Sequence, residues 1–150
     1  MPPPRVSPRS LPRCFCFRLI LPGHAALPIG MHSLGFVAKT DEEAVDIQWP
    51  YWSEMLEASS RERGWERPTM SKFQAEIAGG SLYVGSPETV ATKLAAVIRA
   101  LDLSRFDLAY AVGRVPHSQR MATIELYGRE VIPRVRELLA AAPLEDRPLV

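Results

Sequence analysis

Three histidines, two cysteines and two well-placed serines are the residues of this 150-residue chain that could move protons, bind a metal or attack a carbonyl. His24, His32 and His117 show no HExxH, HxE or related ligand spacing, so no metal site is expected. Cys14 and Cys16 lie one residue apart; a disulfide across that gap would be strained, and reduced thiols are expected. Ser33 and Ser86 lack the G-x-S-x-G elbow, and no acid is placed to orient a base for either. No catalytic residue is therefore assigned. The Gly79-Gly80 pair and Gly85 could let backbone approach a phosphate at a helix N-terminus, but the spacing is neither GxGxxG nor a Walker motif. Capping and turn duties account for these residues first. Tyr83 beside them could lay its ring on a flat cofactor. His32 reads either as a hydrogen-bonded core residue or as a pocket group, and His117 after Pro116 as a turn residue. The candidate cofactor-contacting set is thus Tyr83, Gly85, Ser86 and His32.

The elements that must position this set are legible in outline. Between Gly80 and Val90 the chain reads as a short extended run, a glycine turn and a helix start. Ser86 stands at the N-cap, Pro87 at the first helical position and Glu88 in the first turn. Val90, Leu94, Val97, Ile98 and Leu101 then share a helical face, and residues 105–112 read as a strand. Upstream, residues 29–38 read as a buried strand with little polarity. Thr40 and Glu43 form a capping box for a helix that Pro50 should kink or break. A second helical stretch follows over 51–63, closed by Gly64. Residues 64–80 form an excursion with a short helix over 72–78, capped by Ser71 and Gln74. The last helix is expected over 117–139, bent at Pro133, with Met121, Ile124, Tyr127, Val131, Val135 and Leu138 along one stripe. Strand, helix, strand in this order gives an α/β protein whose pre-helix loop lies at the functional end of a parallel sheet.

The ordered run GSLYVGSPETVATKL, then SRFDLAYAVGRVPHSQRMATIELYGREVIPRVREL, resembles the C-terminal end of luciferase-like flavin-dependent oxidoreductases. GHAALPIGMHSLGFVAKTDEEA upstream resembles the preceding strand of that family, and the similarity extends from about Gly23 to Leu138. It implies the C-terminal part of a TIM (β/α)8 barrel, about the last two βα units, since a whole barrel needs about 250 residues. It also implies FMN, or a deazaflavin, as cofactor and a small organic substrate into which monooxygenase members insert oxygen. Much of the flavin contact in the family comes from earlier strands. The chain alone is accordingly expected to bind FMN weakly or not at all and to be incomplete as a catalyst. The alternative is a non-catalytic remnant or interaction module that keeps the local fold.

Composition narrows the partners. A net charge of +1 gives no field that would draw nucleic acid or an anionic membrane. No apolar run reaches the length of a membrane span. Residues 1–22 hold Arg5, Arg9, Arg13 and Arg18, six prolines and no acid, a disordered basic lead. Cys14 to Leu21 also has the look of a signal core, but Arg18 and Pro22 interrupt it, and a cytoplasmic protein is expected. Residues 23–139 form the folded unit and 140–150 a flexible tail. The aromatic group Trp49, Tyr51, Trp52 and Trp65 reads as a partner interface or exposed core in a partial barrel. Self-association, or pairing with a missing barrel segment, is therefore expected.

Overall fold

The computed structural model describes residues 27–111 and 113–141. The basic lead, both cysteines, His24 and the tail beyond Ala141 lie outside the described residues. The elements run β1 (Ile29–Val37), α1 (Asp41–Arg63), α2 (Met70–Gly79), β2 (Leu82–Gly85), α3 (Pro87–Leu101), β3 (Leu103–Ala109), α4 (His117–Leu126), a π turn (Tyr127–Val131) and α5 (Ile132–Ala141).

All pairing is parallel, and the protein is a mixed α/β fold. The order across the sheet is β2-β1-β3. Val37 lies opposite Gly85 on one side of β1, and His32 opposite Asp107 on the other. Strand alternation sends Leu34, Phe36, Leu82 and Val84 to one face, where α1 and α2 cover them with Trp52 and Phe73. Val37, Tyr83, Phe106 and Leu108 go to the other, where α3, the π turn and α5 cover them with Val90, Leu94, Val131 and Val135. The two cores lie on opposite faces of the sheet, with β1 between β2 and β3. Gly35 makes the close packing of the second core possible, because a Cβ there would lie 2.4 Å from Leu108 Cδ1 and 2.5 Å from the Tyr83 carbonyl oxygen.

Several local expectations are corrected. Helix α1 does not break at Pro50 but runs through it for 23 residues. An internal proline forfeits a backbone hydrogen bond and costs about 3 kcal/mol. Packing on either side of it offsets this: the Trp52 ring lies 4.9 Å from Phe73 and 5.9 Å from Trp49, with Trp49 5.6 Å from Phe73. These aromatics are therefore core, not a waiting interface; of the group, Trp65 alone is largely exposed, under the Arg63 guanidinium. Helix α2 starts earlier than expected. Thr69, not Ser71, is its N-cap, accepting from the Lys72 amide at 3.2 Å. The earlier start places Met70 against the first core.

The last helix is interrupted ahead of Pro133 by the π turn. One extra residue in the turn rotates the helical face by about 100°. The buried face consequently passes from Thr123 to Val131 and Val135, while Met121 and Ile124 are left exposed. Thr123 is held in the interior because its hydroxyl donates to the Val37 carbonyl at 2.9 Å.

Candidate functional site

The carboxyl ends of β1 and β2 meet where Gly85 and Ser86 lead into α3. Ser86 is the N-cap, its hydroxyl accepting from the Thr89 amide. The residue that organises the junction is Asp41, the first of α1. Its Oδ1 accepts from the Ser86 amide at 2.6 Å, and its Oδ2 from the Thr89 hydroxyl at 2.9 Å. Charge-assisted bonds of this kind favour the ionised acid, so the Ser86 amide holds the Asp41 carboxyl below its usual range against the opposing effect of burial, aided by the Ser86 and Thr89 side chains. Thr40 caps α1 by accepting from the Glu43 amide, and Glu43 reaches back to accept from the Lys39 amide at 3.1 Å. The start of α1 and the start of α3 are thereby tied together by one carboxylate.

Gly85 is required at this point. Its φ is 156°, and a Cβ would stand 2.8 Å from Asp41 Oδ1 and 3.1 Å from Thr89 Cγ2. Any larger residue would push the carboxylate off the Ser86 amide.

An open cleft of about 360 Å³ lies against this junction, lined by Lys39, Ser86, Pro87, Glu88, Glu130 and Arg134. The Arg134 guanidinium grips Glu88 through two bonds, at 2.8 and 2.9 Å, and reaches Glu137 at 3.1 Å. Those contacts raise the Arg134 pKa further, and the hydrogen bond from Arg134 lowers that of Glu88. The cleft's strongest cation is thus already neutralised.

The four residues expected from sequence do not converge. Gly85 and Ser86 sit at the junction. Tyr83 is 1 % exposed, with its ring 4.9 Å from Phe106 and the Lys93 ammonium 5.0 Å from its centre; burial pushes its hydroxyl pKa up. It has no free face to lay on a cofactor. His32 is exposed in the middle of β1, not set in an apolar strand, and five residues before Val37 place it roughly 16 Å along the strand from the junction. Ser33 donates to the Ser81 carbonyl at 2.5 Å, and His117 opens α4 as an exposed residue. Among the described residues no cluster of His, Cys, Asp and Glu could hold a metal, and no helix is long and apolar enough to cross a membrane.

Sequence reasoning missed Asp41 and Lys93. Asp41 was visible only as one acid of a capping segment, since its partner lies 45 residues away. Lys93, half-buried, donates to the carbonyls of Ile77 and Leu82 and so joins the end of α2 to the start of β2; burial lowers its pKa.

These residues fit a flavin phosphate poorly. Such a site needs free amides at a helix N-terminus. Here the Ser86 amide already serves an internal carboxylate, Pro87 has no N–H, and the Arg134 guanidinium is taken up by Glu88 and Glu137.

A solved structure resembles this fold. It is the monooxygenase RslO1 from Streptomyces bottropensis, at a TM-score of 0.57 and 17 % identity, with 69 % of this chain and 30 % of that chain covered. The likeness at that identity is one of fold, and this chain spans under a third of the neighbour's length. No protein-family model matches the chain, and no curated protein matches it.

Proposed function

We propose that this chain is the C-terminal part of a luciferase-like, FMN-dependent oxidoreductase of the monooxygenase type, acting on a small organic substrate within a larger assembly. The observation that carries this reading is the ordered run from GSLYVGSPETV to the IELYGREVIPRVREL helix, with Ser86, Pro87 and Glu88 opening α3. The fold likeness to a monooxygenase supports it. In this reading the flavin is gripped by the rest of the assembly, and a deazaflavin is the alternative cofactor. The Asp41–Ser86–Thr89 junction fixes the loop at the end of β2.

The test has two arms. Titrating the chain with FMN and following flavin fluorescence should give no saturable quenching in the micromolar range. Adding the chain to a luciferase-like enzyme lacking its own last two βα units should restore FMN binding. Failure to restore binding, with the chain folded by circular dichroism, would overturn the proposal. A second reading is a non-catalytic interaction module, favoured by the Ser86 amide being satisfied internally. That reading expects no restoration.

A further inference from the structure

Strand β3 forms one edge of the sheet, paired on one side with β1. Among the described residues no strand pairs with its other side. Arg105 and Asp107, two residues apart, lie on the face opposite Phe106, the same face that α1 and α2 cover over β1 and β2; they are bonded to each other at 2.9 Å with side chains 75 % and 55 % exposed. Exposed edges normally carry charge to discourage pairing. The sequence Leu103-Ser104-Arg105-Phe106-Asp107-Leu108-Ala109 has a different property. Turned about a twofold axis through Phe106, it is complementary to itself.

We propose that β3 is the docking edge for a second copy of this chain, forming an antiparallel β3–β3 pair centred on Phe106. In that register Arg105 of each copy stands opposite Asp107 of the other on one face. Phe106 meets its own counterpart on the opposite face, and Ser104 and Leu103 stand opposite Leu108 and Ala109. Directly opposed charges of opposite sign and opposed aromatics are the pairs that stabilise antiparallel strands. A twofold interface of this kind uses the same patch on both copies and closes as a dimer. The intramolecular Arg105–Asp107 bond of each copy, exposed and worth little in water, is exchanged for an intermolecular one, two for two across the dimer. Phe106, half-buried beside Tyr83, gains cover at the same time. The result is a six-stranded sheet in the order β2-β1-β3-β3-β1-β2.

Charge reversal gives a test with a built-in control. Arg105→Asp places two acids on the edge, and Asp107→Arg places two arginines there. Each variant alone sets like charges opposite one another and should weaken dimerisation by about tenfold or more. An equimolar mixture of the two variants restores opposite charges at both positions and should form a heterodimer. Sedimentation velocity over a concentration series, with circular dichroism to check folding of these exposed-site variants, reads all three samples. Dimers of the wild type, monomers of each variant and a dimer from the mixture are the expected results. A wild type that stays monomeric throughout, dimerisation indifferent to either reversal, or a mixture that fails to pair would each overturn the proposal.

Discussion

The junction of β1 and β2 with their helices and the β3 side of the sheet both present polar groups near the surface, but they dispose of them in opposite ways. At the junction, Asp41, Ser86 and Thr89 satisfy one another, and Gly85 is pressed against them with no room for a side chain. On the β3 side, His32, Arg105 and Asp107 stand exposed on the part of the α1/α2 face that those helices leave open, beside an edge with no second partner strand among the described residues. The serine and glycine that look most like a ligand site turn out to close the fold. Open bonding capacity lies along a strand whose residues suggest no chemistry at all. Residue type therefore says less about availability than the bonds already made.

The largest effect that breaks this comparison is in the core beneath the junction. Tyr83→Ala should cost about 3–5 kcal/mol of stability in urea unfolding, whereas His32→Ala on the open face should stay within about 0.5 kcal/mol. Equal effects would mean that the two regions are not differently packed. Next comes Gly85→Ala. Its unfavourable φ and the displaced Asp41 carboxylate should together cost about 2 kcal/mol, read as a lowered urea midpoint.

Asp41→Ala should cost somewhat less, about 1–2 kcal/mol, by leaving the Ser86 amide and the Thr89 hydroxyl without their acceptor. It should also change the pH profile. The folded-state pKa of Asp41 lies below its unfolded value of 3.8. The stabilisation is thus present above the unfolded pKa and is lost as pH falls through the folded one. Unfolding midpoints measured from neutral to acidic pH should converge for wild type and variant at the acid end. A gap that persists there would show that Asp41 acts through packing instead of charge.

How much was legible follows from how local each signal is. Ser86-Pro87-Glu88 announces the start of α3 within three residues, and the structure places the cap there. Strands at 29–38 and 105–112 were also legible, although the second begins at Leu103 and ends at Ala109. Pro50 misled because the packing that carries α1 through it comes from Phe73, on another helix. The phase of the final helix misled because one π turn, invisible in apolar spacing, exchanges Met121 and Ile124 for Thr123 on the buried face. The order of the strands has no local signature. Nor does the Asp41–Ser86 contact, which depends on that order bringing two helix starts together.

That contact is also the most direct point at which to test the account. Following the carboxyl carbon of Asp41 by NMR through an acid titration measures whether the carboxylate is held by the Ser86 amide. A midpoint below 3.8, with the Ser86 amide resonance moving in step, is the expected result. A midpoint at or above that value, with the Ser86 amide unaffected, would mean that the junction is open and its amide free for a ligand.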